Sequence, residues 1–144
     1  MKKIYKERFL KLYNHMLQPQ EKLGHEKFDF RQFNDALSMC GTAGCMCGTA
    51  GCMGGELPIV FPDHWVFYKQ TLVRLRRRKN IYTNEDFASF FNITISESVH
   101  LFYPKGQSKS IDPYFLNHNE LSVDETKEEV VENLRRFLVI KNVL

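Results

Sequence analysis

Residues 83–104, TNEDFASFFNITISESVHLFYP, contain two helix-start patterns in succession, and these patterns decide the fold class. Thr83 is followed three residues later by Asp86, and Thr94 is followed three residues later by Glu97. At this spacing the Thr hydroxyl can accept a hydrogen bond from the third residue's N–H, and the acidic side chain can accept one from the N–H of the Thr. The stretch therefore predicts two short helices, the second of which stops at the proline.

Amphipathic patterns near both ends of the chain extend the helical prediction. In residues 4–17 the apolar side chains fall mostly on one helical face; they are Ile4, Phe9, Leu12, Tyr13, Met16 and Leu17. The sequence Ser122-Val123-Asp124-Glu125 predicts the start of a last helix by the same capping pattern. Its inward face is expected to carry Val130, Val131, Leu134, Phe137 and Leu138.

Residues 64–78 have the character of β-strands. Apolar and polar side chains alternate around Trp65 and Phe67 and again over residues 72–78, and Val, Phe, Tyr and Thr are dense there. A small hairpin is favoured over a helix starting at Asp63. The predicted fold class is mostly α (α+β): amphipathic helices with a minor β-hairpin.

The composition fits one small domain, residues 1–144, with a real core, because 43% of the chain is hydrophobic. No apolar run reaches the roughly 18 residues of a membrane-spanning helix. Residues 1–17 carry charges throughout and so lack the apolar stretch of a signal peptide. We therefore predict a cytoplasmic protein without a membrane partner, in which thiols stay reduced and a disulfide framework is not expected.

Residues 39–53, MCGTAGCMCGTAGCM, repeat a seven-residue unit and hold every cysteine of the chain. Four thiolates are a ligand set for zinc or an iron–sulfur cluster, which makes Cys40, Cys45, Cys47 and Cys52 a candidate metal site. Structural zinc sites usually join ligand pairs that are distant in sequence, whereas all four cysteines lie close together here. The metal site is therefore an alternative prediction.

The second copy of the unit is also a candidate anion-binding turn. The small residues Cys47, Gly48 and Thr49 would expose backbone N–H groups, and Thr49 is placed to cap a helix running from Ala50 through Met53. A helix N-terminus attracts anions. The unit lacks the Gly-Lys-Ser/Thr of a nucleotide-binding P-loop, so the signal is weak.

The segment 74–79, RLRRRK, can supply positive charge for such a ligand. Arg74, Arg76 and Arg78 are the predicted counter-charges, and His64 is included among the ligand-binding candidates. A solvated strand end is the competing interpretation of this segment.

Other interpretations stay open. Cys, Gly, Ala and Met pack tightly, so the cysteine turn also fits a purely structural role in a protein-interaction module. A nucleophilic cysteine needs a base or a lowered pKa; His64 and His100 are candidate partners, but no catalytic residue is assigned.

The two helices joined near Asn92 superficially resemble a helix-turn-helix. Nucleic acid is nevertheless not the predicted partner, because the second helix offers Glu97 and Ser98 where base recognition favours Arg, Lys or Gln.

Several segments together resemble a family of small, largely uncharacterised bacterial and phage proteins. They are Phe28-Asp29-Phe30, the CGTAGC unit, Phe90-Phe91-Asn92-Ile93, the run His100-Leu101-Phe102-Tyr103-Pro104, and the last amphipathic helix. Family members carry F-D-M/F, C-G-T-x-x-C-x-x-G and A-x-x-F-F-G-L segments. Here Asn92 stands where Gly is common, and the CGTxxC unit is doubled. Asn tolerates the left-handed backbone that such a position favours.

The resemblance implies that the second copy, Cys47–Cys52 with Gly55 three residues later, corresponds to the family's single unit, and that the first copy is an insert. It implies a phage-encoded or bacterial origin and an architecture, but no reaction. The working hypothesis is a pocket at the second copy for a small anionic, nucleotide-like ligand. By analogy with phage accessory proteins, the ligand would be a host signalling nucleotide that the protein sequesters.

Overall fold

The computed structural model describes residues 1–25, 27–28, 50–68, 71–75, 83–102 and 126–144. Its helices are α1 (Lys3–Met16), α2 (Leu57–Val60), α3 (Thr83–Phe91), α4 (Ile95–Phe102) and α5 (Lys127–Ile140). Its strands are β1 (Lys27–Phe28), β2 (Ala50–Gly51), β3 (Trp65–Tyr68) and β4 (Thr71–Arg74), and 3-10 turns cover Gln20–Lys22 and Gly54–Glu56. The predicted mostly α fold with a minor hairpin is confirmed. The sequence also predicts a helix near residues 32–37 and a loop over 104–120, and both segments lie outside the described residues.

Aromatic rings from four helices form the centre of the core. The Phe9 ring of α1 stacks on Phe91 of α3 at 4.4 Å between centroids and lies 5.5 Å from Phe137 of α5. Phe102 of α4 stacks on Phe91 at 5.7 Å, and all four side chains are buried. Each such ring removes a large apolar area from water, so these contacts fix how the helices pack. Within the described residues, no helix is both long and apolar enough to cross a membrane.

The α3–α4 turn forms as the sequence predicts. The Glu97 N–H donates to the Thr94 hydroxyl at 3.1 Å, and the Thr94 N–H donates to the Glu97 carboxylate at 2.9 Å, which is the capping box. Asn92 has a φ of 52°, and the Ile93 N–H donates to the Ala88 carbonyl at 2.9 Å. This left-handed residue ends α3, as Gly usually does at helix C-termini.

The two long helices agree with the predicted patterns except at their ends. The predicted inward face of α5 is buried in full. Its N-cap is Thr126, whose hydroxyl accepts from the Glu129 N–H at 3.3 Å, so the start predicted at 122–125 was too early. Ile4 in α1 and Leu17, which directly follows it, are exposed, which corrects the predicted inward face. At about 100° per residue, Ile4 lies some 140° around the helix from the buried Phe9, too far to reach the core.

The hairpin β3–β4 is antiparallel, with Trp65 opposite Arg74 and Phe67 opposite Leu72. Trp65, Phe67 and Leu72 are buried. Because side chains alternate between the faces of a strand, Arg74 belongs to this inner row. One of the predicted ligand-binding cations therefore lies on the core-facing side of the hairpin.

The ends of the segment that carries the cysteine repeat are held together. Strand β1 pairs with β2 in parallel, with Lys27 beside Ala50 and Phe28 beside Gly51. The predicted helix from Ala50 through Met53 is wrong: Ala50 and Gly51 are extended, and the backbone becomes helical only at Met53. Pairing with β1 accounts for the difference, because both residues form strand contacts there.

Candidate functional site

Two groups of polar side chains stand out among the described residues. The first, the Glu56 cluster, consists of His15, Gly24, His25 and Glu56. His15 Nε2 lies 2.8 Å from Glu56 Oε1, and the Gly24 N–H donates to the same oxygen at 2.5 Å. His25 Nδ1 bonds to the other oxygen, Oε2. The cluster joins the last turn of α1, the chain before β1 and the turn before α2.

The Glu56 carboxylate is buried but ionised. Its residue is 2% exposed, and such burial by itself would raise the pKa of the carboxyl. Hydrogen bonds with His15 and His25 and from the Gly24 N–H outweigh burial and lower the pKa of Glu56 to about 2. The charge is thus stabilised by donors from three directions, as buried carboxylates require.

The Glu56 cluster positions the backbone and is not arranged as a metal centre. The two imidazoles bond to different carboxylate oxygens, so Glu56 lies between them. Among the described residues, no group of three or more His, Cys, Asp or Glu side chains is placed to hold a metal ion. The hydrogen bonds of Glu56 hold Gly24 and His25 against the chain just beyond β2.

Cys52 lies just before the Gly54–Glu56 turn and is a buried thiol. Burial raises the pKa of Cys52 to about 12, although the Gly54 and Gly55 N–H groups next to its sulfur act in the opposite direction. The sulfur thus lies next to the first N–H groups of the Gly54–Glu56 turn, whose N-cap residue is Met53. A neutral, covered thiol packs like a small apolar group and is a poor nucleophile.

The second group, the Phe90 cluster, consists of Arg8, His64, Arg74 and Phe90. The guanidinium carbons of Arg8 and Arg74 lie 4.1 Å and 5.2 Å from the centroid of the Phe90 ring. The His64 ring lies 5.3 Å from the same centroid, and Phe90 itself is fully buried. Guanidinium groups at these distances are attracted by an aromatic ring.

Two guanidinium groups share this cluster. Arg8 donates to the Phe90 carbonyl at 2.6 Å, near the negative end of the α3 dipole. Arg74 donates to the Ser89 hydroxyl at 3.1 Å. Partial burial lowers the pKa of Arg74; the charge of Arg8 lowers it further, and the charge of Asp86 opposes both effects. The buried Asp86 is thus the internal carboxylate that acts on Arg74.

Toward the described residues, each guanidinium uses little of its hydrogen-bonding capacity. Within the described part of the chain, Arg8 and Arg74 each donate one hydrogen bond to protein. A guanidinium has five N–H donors in a planar fork that matches phosphate and carboxylate oxygens. Lys11 extends the positive surface, because its ammonium lies 5.3 Å from the Phe61 ring, which in turn packs on Phe90 at 5.0 Å. The cluster can therefore bind an anion.

The structure brings together some of the predicted site residues. His64 and Arg74 meet at Phe90, whereas Cys52 belongs to the turn that contains Glu56. The remaining predicted ligand-binding residues lie outside the described part; they are Cys47, Gly48, Thr49, Arg76 and Arg78. The same holds for Cys40 and Cys45, so the alternative zinc or iron–sulfur site stays a prediction.

Sequence reasoning missed Arg8, His15, His25 and Glu56. Arg8 looks like one of many cations on the polar side of α1, and nothing in its spacing links it to Phe90. The Glu56 cluster joins residues 31 and 41 positions apart. Only the position of Glu56 directly after Gly54-Gly55, at the end of the recognised motif, was a usable signal.

Comparison with known proteins found no match to a protein-family model, to a curated protein or to a solved structure. The resemblance to the CGTxxC proteins therefore stays a prediction, and the function has to be argued from the two clusters.

Proposed function

We propose that the protein binds a small anionic, nucleotide-like ligand at the Phe90 cluster. The observation that supports this most is the convergence of Arg8, Arg74 and His64 on one buried ring. The charge of Arg8 acts to lower the pKa of Arg74, so the two guanidinium groups repel each other, and an anion bound at the cluster would relieve that repulsion. Arg74 is also partly withdrawn from water, which strengthens an ionic contact made there.

Tyr5 supports a nucleotide-like ligand over a simple ion. It is partly exposed, and its ring centroid lies 5.6 Å from the Arg8 guanidinium. A base or another flat group could stack on Tyr5 while its phosphate contacts Arg8 and Arg74. The formal net charge of +3 adds a mild attraction for anions over the whole molecule.

The proposal changes the role of the cysteine turn. In the initial hypothesis Cys47, Gly48, Thr49 and Cys52 contact the ligand. The described member, Cys52, is 1% exposed and is not a ligand contact in this arrangement. We assign it a supporting role, in which the sulfur and the Glu56 cluster hold the turn before α2, and α2 packs against β3.

A thermal-shift screen tests the proposal. The full chain is heated with inorganic phosphate, pyrophosphate, mono-, di- and triphosphate nucleotides, and cyclic nucleotides. A ligand present at about 100 times its Kd stabilises the fold by about 2.7 kcal/mol, which for a domain of this size raises Tm by several degrees. Anion binding is supported if one class of compound raises Tm more than sodium chloride does at the same ionic strength. No shift with any phosphorylated compound contradicts it.

A further inference from the structure

The indole of Trp65 lies beside the Phe90 cluster. Trp65 is opposite Arg74 in the β3–β4 register, so both side chains belong to the inner row of the hairpin. The Trp65 ring meets Phe90 edge to face at 5.6 Å and Phe87 at 5.1 Å. The same aromatic ring, Phe90, therefore contacts Trp65, Arg8 and Arg74.

The indole N–H is buried without an acceptor. Trp65 is 1% exposed, and among the described residues its Nε1 has no hydrogen-bond partner. A buried donor left in this state costs about 1–3 kcal/mol, and buried Trp side chains usually find a partner. This donor is a second observation, independent of the arginines, that directs attention to the same face.

We infer that the Trp65 indole N–H is a third donor for the anion, beside Arg8 and Arg74, and that the preferred group is a tetrahedral oxyanion such as phosphate. This inference rests on the proposed function. Donors from three separate elements around Phe90 suit the several oxygens of a phosphate better than the two oxygens of a carboxylate. Trp65 acts here as a specificity-determining residue.

A ligand can reach the indole N–H only if side chains around it move, because the Nε1 atom is covered in the structure. Arg74 lies directly across the strand pair, and its hydrogen bond goes to a solvent-exposed hydroxyl, that of Ser89. Exchanging one such bond for an ionic contact with phosphate is favourable, because charge-assisted hydrogen bonds are the stronger kind.

The test uses the single Trp of the chain, which gives one indole N–H resonance in a 15N-labelled sample. Inorganic phosphate is titrated into the full chain and the resonance is followed, with acetate as the carboxylate comparison. The Trp65→Phe variant keeps an aromatic ring and removes the donor. Phe87→Leu is the control, since it perturbs the contact between the Trp65 and Phe87 rings and keeps the indole N–H.

The inference predicts a downfield shift of the indole proton on addition of phosphate and a loss of affinity of about tenfold or more in Trp65→Phe, with a smaller loss in Phe87→Leu. Phosphate binding with an unmoved indole resonance and equal affinity in Trp65→Phe would overturn the inference and leave the proposed function standing. No phosphate or nucleotide binding by the wild-type chain would overturn both. The wild-type titration decides the matter even if a variant fails to fold.

Discussion

His15 Nε2 lies 2.8 Å from Glu56 Oε1, and this contact ties the last turn of α1 to the turn that follows the cysteine repeat. Glu56 is buried and also bonds to His25, so one carboxylate organises three segments of the chain. The contacts of Glu56 thus fix the place where the repeat-containing segment returns to the core.

Replacing Glu56 with Gln should destabilise the fold by about 2–4 kcal/mol, because the amide presents N–H groups where the protein supplies donors. Urea unfolding at pH 7 measures the change. Glu132→Gln is the matched control: Glu132 bonds to Arg135 and Arg136 on the exposed side of α5, where ion pairs contribute little. Equal effects of the two substitutions would contradict the role assigned to the Glu56 cluster.

The stability of the protein should depend on the protonation of Glu56 in acid. The pKa of Glu56 is lowered from its ordinary 4.5 to about 2 in the fold, so its contribution is fully present above pH 4.5 and is lost as the pH falls toward 2. The loss amounts to about 3 kcal/mol over that window. Unfolding free energies of wild type and Glu56→Gln between pH 5 and pH 2.5 measure it as a difference in slope. Parallel curves would show that the folded state does not hold this carboxylate charged.

Cys52 should be unreactive in the folded protein. Its thiol is covered and its pKa is raised to about 12 by burial, so almost no thiolate exists at pH 8. In a variant whose other three cysteines are Ser, a thiol reagent such as DTNB should react slowly in buffer and fully in guanidinium chloride. Fast labelling of the native variant would show an exposed thiol.

Metal analysis of the purified wild-type chain tests the alternative four-cysteine site directly: stoichiometric zinc or iron supports that site, and none removes it.

Removing the first copy of the repeat, Met39 to Cys45, should leave the fold intact. The segment between Phe28 and Ala50 starts and ends at the β1–β2 pair, so the deletion shortens it by a third between fixed ends. For a chain fixed only at its ends, this shortening changes the free-energy cost of closing the loop by only about 0.4 kcal/mol. Urea unfolding of the deletion variant measures this. A loss of several kcal/mol would show that the first copy is part of the packed structure.

Local patterns predicted the hairpin and the helices α1, α3, α4 and α5 because each is specified by neighbours in sequence; the short helix α2 was not predicted. The Thr94–Glu97 capping box and the inward face of α5 depend on spacings of three and four residues. Helix starts were less secure, since Ser122 and Thr126 compete as caps before α5. Ala50 and Gly51 became a strand through pairing with β1, a contact that composition does not reveal.

The candidate sites depended on long-range contacts, and the sequence revealed less of them. Glu56 carries a charge and would usually be placed at the surface; only its distant donors make burial acceptable. Arg74 was chosen as part of a cationic run, but its position on the inner row follows from the register of the hairpin. Arg8 meets Phe90 across 82 residues of sequence, beyond any local pattern.

The central claim is that Arg8 and Arg74 bind the phosphate group of a ligand. Isothermal titration calorimetry with the best compound of the thermal-shift screen tests it most directly, in wild type and in the double variant Arg8→Gln/Arg74→Gln. The control is Arg135→Gln/Arg136→Gln, which makes the same change in net charge on the exposed side of α5. Circular dichroism establishes that each variant is folded before titration.

We expect the Arg8/Arg74 double variant to lose affinity by about a hundredfold or more, since each charge-assisted contact contributes about 1.5–3 kcal/mol. The Arg135/Arg136 variant should bind within about twofold of wild type, because both side chains are exposed and paired with Glu132, and salt screens exposed charges. Equal affinities in wild type and a folded Arg8/Arg74 double variant would contradict the proposed site.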